Sequence, residues 1–207
     1  SNKGQLIVIS APSGAGKTSI IKNVIKKLND ENRKSKFSVS HTTRLPREGD
    51  IDGSDYFFVS NEIFDELYEA GNFIETAEVH DYKYGTSKDF IDENINQGIN
   101  VFLEIDVQGF QKLRNRNIEF RSMFILPPSI EELRKRIQKR GLDSEDVIEK
   151  RMKNALKELG EAEKYDYLVI NDVFEQAIEE LLEIVINKDF KDQTHDKKLK
   201  ILQDLLS

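Results

Sequence analysis

The run Leu6-Ile7-Val8-Ile9 passes directly into Ser10-Ala11-Pro12-Ser13-Gly14-Ala15-Gly16-Lys17-Thr18, which opens into the apolar-periodic segment Ser19 to Ile25. The order is strand, tight loop, helix. Small residues let backbone N–H groups converge on an anion, and the helix that follows offers its positive N-terminal end to the same point. The spacing predicts a phosphate loop in which Lys17 reaches the β and γ phosphates of a nucleotide and the Thr18 hydroxyl holds Mg²⁺. One position departs from G-x-x-x-x-G-K-[ST], because Ala11 stands where the first glycine would. A Cβ is tolerated there if the residue does not need a positive φ. The nucleotide-binding set expected from this stretch is Ala11, Pro12, Ser13, Gly14, Ala15, Gly16, Lys17 and Thr18.

Strand and helix signals alternate through much of the remaining chain. Val101 to Asp106 is predicted as a buried strand ending in carboxylates, Phe120 to Leu126 as another stopped by Pro127-Pro128, and Tyr167 to Ile170 as a last one followed by Asn171-Asp172. Ser129-Ile130-Glu131-Glu132 is a capping box starting a helix that runs through Arg140 to Gly141. Further helices are predicted from about Ser144 to Lys164, over Val173 to Asn187 and over Asp196 to Leu206. Leu199, Leu202 and Leu205 share one face of the last, which packs on its own domain or on a second subunit. Such alternation implies an α/β fold: a parallel sheet with helices on both faces and ligands at the carboxyl ends of its strands.

Between these elements the character changes. Glu31 to Lys36 is a polar linker, Phe37 to Ser40 alternates like a short strand, and His41 to Gly53 is rich in breakers and charges without any period. An ordered loop of that length in a compact domain is usually functional. Tyr56 to Val59 and Phe73 to Val79 are predicted strands, Tyr82 to Thr86 a turn or third strand. Helices follow Ser60, over Asn61 to Ala70, and Ser87, as far as Gln97. The expected organisation is one domain with a core at 3–36, 97–128 and 165–207, a strand-rich insert at 37–96 and a helical hairpin at 129–164.

Net charge is −7, which disfavours a nucleic-acid partner held by bulk electrostatics, so an anionic ligand must be gripped by local arginines. There is no cysteine, hence no disulfide framework and no thiolate chemistry. His41, His80 and His195 are scattered without metal-ligand spacing. No segment has the order of a signal peptide and no apolar run approaches a membrane span, so the expected address is the cytosol, with no membrane partner.

The stretch Ser40-His41-Thr42-Thr43-Arg44-Leu45-Pro46-Arg47-Glu48-Gly49, continuing to Tyr56-Phe57-Phe58, resembles guanylate kinase, the nucleoside monophosphate kinase family that moves a phosphoryl group from ATP to GMP or dGMP. The likeness runs from Gln5 to about Asp172, with motifs in the family's order and spacing. Arg44 and Arg47 lie three apart across a proline, a spacing that can aim two planar guanidinium forks at one phosphate. The resemblance implies that they, with Tyr56 and Tyr84, hold the GMP phosphate. It also implies that Glu75 accepts from guanine N1–H and N2–H₂, that Ser40 reaches O6, and that Thr86 and Asp106 contact the base edge. The family often has serine at the position of Thr86, so the hydroxyl is kept but its contact is in question. A carboxylate opposite adenine's N1 lone pair would be repelled, so a site of this kind rejects AMP.

Glu104 is placed by the resemblance as a carboxylate for Mg²⁺, direct or through water, and Asp106 would share its face if the strand continued. Arg136 and Arg140, four apart on one helix face, and Arg151 beyond the Gly141 break match the family's lid arginines. The same likeness puts Asn171 near the adenine, and names Lys17, Arg44, Arg136, Arg140 and Arg151 as the groups neutralising the transferred charge. A GTPase is disfavoured: Asp106-Val107-Gln108-Gly109 has the D-x-x-G spacing of a switch, but the guanine-reading N-K-x-D is missing, since Asn187-Lys188-Asp189-Phe190 ends in phenylalanine. A non-catalytic scaffold module is disfavoured because such modules typically lose the phosphate loop or lid arginines, and this chain keeps Gly14, Gly16, Lys17, Thr18, Arg136, Arg140 and Arg151.

Overall fold

A computed structural model describes residues 2–12, 16–139 and 143–207. The chain begins with β1 (Leu6–Ser10), α1 (Lys17–Asp30), β2 (Ser35–Phe37), β3 (Ser40–Thr42) and β4 (Tyr56–Phe58). Then come α2 (Asn61–Glu69), β5 (Phe73–Val79), β6 (Tyr82–Ser87), α3 (Lys88–Asn96), β7 (Asn100–Glu104) and α4 (Val107–Arg114). It finishes with β8 (Arg121–Leu126), α5 (Ile130–Gln138), α6 (Glu145–Leu159), a 3₁₀ turn at Ala162–Lys164, β9 (Tyr167–Ile170), α7 (Phe174–Ile186) and α8 (His195–Leu206).

Five parallel strands form the main sheet in the order β2-β7-β1-β8-β9. Strand side chains alternate between faces, and in a parallel sheet both faces are covered. Ile7 and Ile9 of β1 accordingly pack with Ile20, Ile21 and Val24 of α1 and Leu181 of α7, whereas Leu6 and Val8 join Phe110 of α4, Leu133 of α5 and Met152 of α6 on the other face. The tail helix α8 closes that second layer, packing on α6 and β9 with Leu202 and Leu205 buried and Leu199 partly so. Lys198 is buried beside them, its ammonium paired with Glu180 of α7 and with Asp192. Of the two packings open to the Leu199 face, the structure has the intramolecular one.

A second sheet, β4-β3-β6-β5, stands apart, with β3 parallel to β4 and antiparallel to β6, and β5 antiparallel to β6. The strand expected over Phe37 to Ser40 is two strands in different sheets. Ser38 N–H still bonds to Phe102 carbonyl at 2.8 Å, and the chain then crosses to β3. The long loop yields its first two residues, His41 and Thr42, to β3, and α3 returns to the main sheet against β7.

Two boundaries move for clear reasons. The helix expected to reach Lys164 stops at Leu159, where Gly160 is the C-cap, and only the 3₁₀ turn follows. The strand expected to end at Asp106 ends at Glu104, because the Asp106 carboxylate caps α4 by accepting from Gly109 N–H at 2.8 Å. The capping serines Ser60, Ser87, Ser129 and Ser144 all accept from the third residue of their helices. Half of the predicted capping box is replaced, since the Glu132 carboxylate accepts from Arg136 Nε at 3.2 Å.

Candidate active site

The phosphate loop sits at the carboxyl edge of the main sheet, between β1 and α1. Gly16 caps α1 with φ 75°, a left-handed conformation that costs glycine nothing, and a Cβ there would stand 3.7 Å from Asn171 Nδ2. The first turn of α1 contains no acidic residue, so its positive end is left for an external anion. Ala11 is buried and is not among the positive-φ residues, which explains why alanine serves in place of glycine. Pro12 is buried beside it; Ser13, Gly14 and Ala15 lie outside the described residues.

Thr18 Oγ1 donates to Glu104 Oε1 at 2.9 Å, and Lys17 Nζ lies 3.7 Å from the same oxygen. Strand pairing makes this meeting: β7 lies directly beside β1, with Ile9 opposite Glu104. A hydroxyl and a carboxylate converging on one point are the hard oxygen donors that suit Mg²⁺.

In the second sheet, the Arg44 guanidinium is enclosed. It stands over the rings of Tyr56 and Phe58, at 5.3 and 5.6 Å to their centroids, and the Tyr56 and Tyr84 rings are 5.8 Å apart. Arg44 is also paired with Asp50 at 3.1 Å. The Arg47 backbone N–H donates to the same carboxylate at 2.8 Å, and this bond, with Arg44 adding, holds the Asp50 carboxyl below its ordinary range. Asp50 is thus the hinge of the arginine loop, a part the sequence reading did not give it. Arg44, Tyr56 and Tyr84 come together as expected, while Arg47 has an exposed side chain.

Glu75 on β5 faces Asp106 across Gly109. A Cβ on Gly109 would stand 3.3 Å from Asp106 Oδ1 and 3.4 Å from Glu75 Oε1, and Thr86 Oγ1 donates to Glu75 Oε2 at 3.4 Å. Burial pushes the Glu75 carboxyl up from its ordinary value; Lys112 opposes this, the Asp106 charge adds to it, and the Thr86 bond opposes it. Lys112 Nζ donates to Thr76 carbonyl at 2.8 Å, tying α4 to β5. Asp106 is at the start of a helix instead of beside Glu104 on a strand, so the expected shared face is not formed. The missed signals were an N-cap aspartate at Asp106 and the basic last turn Lys112 and Arg114. Ser40, half-buried, opens β3 opposite Tyr56.

Above the main sheet, α5 and α6 are joined by an ion pair between Arg134 and Glu149. Arg136 Nη2 donates to the Asn171 carbonyl at 3.0 Å, while its Nη1 is buried with no hydrogen-bond partner among the described residues. Arg136 and Asn171 therefore join the Gly16 end of the phosphate loop. Arg151 pairs instead with Asp143 at 3.2 Å, and Arg140 lies outside the described residues.

A phosphate loop at the carboxyl edge of a parallel sheet, faced by an arginine-bearing second sheet and a helical hairpin, defines the P-loop nucleoside monophosphate kinases as a class. Within that class, the guanylate kinase family model matches residues 3–188, and the chain belongs to the guanylate kinase family. It is 47% identical over 203 residues to the guanylate kinase of Caldanaerobacter subterraneus subsp. tengcongensis, covering 98% of this chain and 97% of that one. Against the guanylate kinase of Haemophilus influenzae it is 43% identical over 208 residues, covering 100% and 99%. Among solved structures, guanylate kinase from Anaplasma phagocytophilum superposes with a TM-score of 0.64 at 30% identity, covering 98% of this chain and 95% of that one. No helix among the described residues is long and apolar enough to cross a membrane.

Proposed function

We propose that this protein transfers the γ-phosphoryl group of ATP to GMP, and to dGMP, yielding ADP and the nucleoside diphosphate, as a cytoplasmic step of purine nucleotide metabolism. The observation that carries the base assignment is the convergence of Glu75 and Asp106 on Gly109, with Thr86 bonded to Glu75. A half-buried carboxylate accepts from guanine N1–H and N2–H₂ together, and Ser40 serves O6. The Arg44 guanidinium, packed on Tyr56 and held by Asp50, keeps one edge for the GMP phosphate; Arg47 and Tyr84 complete that grip.

On the donor side the open N-terminus of α1 and Lys17 cradle the β and γ phosphates. Arg136, whose buried Nη1 has no hydrogen-bond partner among the described residues, Arg140 and Arg151 supply positive charge as the phosphoryl group moves, and Asn171 flanks the adenine. Thr18 and Glu104 would hold Mg²⁺, directly or through water, and the ion would supply neutralisation of charge on the phosphate oxygens. No residue need act as a strong base, because the GMP phosphate is already an anionic nucleophile, and catalysis is mostly alignment.

A coupled assay for ADP with ATP, Mg²⁺ and GMP, AMP, CMP or UMP in parallel tests this. Turnover is expected with GMP, and kcat/KM for AMP about 10⁴-fold lower. Preference for another base would overturn the pocket while keeping the kinase, and turnover with none would remove the activity. Gly109→Ala gives a second test, in which binding and stability respond differently. The added methyl favours helix by about 1 kcal/mol but crowds the Asp106 oxygen that caps α4, so the two effects offset and Tm should stay within about 3 °C. It also presses on Asp106 and Glu75, so KM for GMP should rise about fivefold in steady-state kinetics.

A further inference from the structure

We propose that Tyr165 and Ser10 are positioning residues that lock Asp106 in register with the phosphate loop through a buried hydroxyl relay. The proposal rests on the assignment of Asp106 to the guanine edge. The Tyr165 hydroxyl and Ser10 Oγ are 2.7 Å apart, and Ser10 Oγ is 2.7 Å from the Ile105 carbonyl. The carbonyl can only accept, so the single Ser10 proton points to it, and Tyr165 must be the donor to Ser10. Direction is therefore fixed along the relay, and hydroxyls bonded in series strengthen one another. Ser10 is 0% and Tyr165 3% exposed, so water does not compete for either bond.

The relay sits where the backbone ladder gives out. The β1–β7 pairing ends with Ile105 N–H donating to Ile9 carbonyl at 3.2 Å; the chain then turns so that Asp106 can cap α4. Ser10, the last residue of β1 before loop residue Ala11, holds the Ile105 carbonyl by its side chain. The peptide that sets Asp106 is thereby fixed to the strand that sets the phosphate loop.

Tyr165 holds the other side of Asp106 as well. Its ring stacks on Phe110 of α4, with centroids 3.7 Å apart and planes 14° from parallel, and Asp106 caps that same helix. One side chain thus restrains both the residue before Asp106 and the helix after it. Burial pushes the phenol's titration up, so the hydroxyl keeps its proton across the working pH range. Tyr165 itself lies between the 3₁₀ turn that ends the helical hairpin and β9, so the relay joins three separate stretches of chain.

Tyr165→Phe keeps the ring and its stack and removes only the donated proton. It is expected to raise KM for GMP about fivefold while KM for ATP stays within about twofold. Ser10→Ala breaks both bonds and should raise KM for GMP about tenfold. In the double variant KM for GMP should match Ser10→Ala, because a relay already cut cannot be cut again. Lowered Tm with both KM values unmoved, equal rises in both KM values, or multiplying effects in the double variant would each overturn the relay. If Ser10→Ala does not fold, the ratio of the two KM values in Tyr165→Phe decides alone. Asp106→Asn is the control for the underlying assignment. A raised KM for GMP there with an unmoved Tyr165→Phe overturns the relay alone, whereas an unmoved Asp106→Asn in an active wild type overturns both.

Discussion

Lys17→Ala should lower kcat about a thousandfold, the scale of a lost transition-state donor, while Tm moves by no more than about 2 °C. The two halves of that expectation come from different facts. Lys17 is at the first position of α1, and its ammonium lies 3.7 Å from Glu104, with both side chains roughly a quarter exposed. An ion pair so open to water contributes little to folding, and alanine at that helix position is well tolerated. The same ammonium stands at the first residue of α1, where on the proposed reading phosphate charge must be met. Steady-state kinetics and a thermal melt on one preparation decide the matter. A comparable loss of stability would assign Lys17 a structural role, and unchanged kcat would remove it from the donor site.

Glu75→Gln is expected to cost about 10³-fold in kcat/KM for GMP without lowering Tm at neutral pH. The amide presents a donor where guanine also donates, so one of the two base contacts becomes repulsive. Its effect on folding follows from the direction of the carboxyl's shift. Burial raises the folded-state pKa of Glu75 above the ordinary 4.5. A raised carboxyl contributes stability that is fully present below the unfolded value and lost as pH rises through the folded one. At neutral pH the ionised group is therefore a net cost, which glutamine removes. Binding needs the ionised form, so the wild-type acid limb of kcat/KM for GMP should lie above the ordinary carboxylate range and vanish in Glu75→Gln. An acid limb unchanged in the variant would place the titrating group elsewhere.

The parts of this molecule that were legible in its sequence are those whose cause is local. The phosphate loop announces itself because strand, small residues and helix are adjacent, and the capping serines because their bond spans only three residues. The arginine loop carried a legible motif but not its hinge: Asp50 takes that part only because the fold brings its carboxylate to both Arg44 and the Arg47 N–H. Helix α4 escaped because it is short, carries Gly109 in its first turn and directly follows a strand whose carboxylates suggested continuation. The two short strands at 35–37 and 40–42 escaped because alternation records facing and says nothing of which sheet is being faced. The Tyr165–Ser10 bond spans 155 positions, and no local rule can reach that far.

Glu75 belongs to the second sheet and Asp106 to the start of α4, just past a strand of the first, so on the proposed reading the two groups that judge the base are carried on separate plates. Substrate choice then works as a calliper: what is gauged is the gap between two bodies, with Ser40, Glu75 and Thr86 on one jaw and Asp106 on the other. The Lys112 bond to Thr76 carbonyl is a screw that sets the gap. Changes at that joint, which touch no nucleotide, should register as altered preference among bases before they register as a weaker protein.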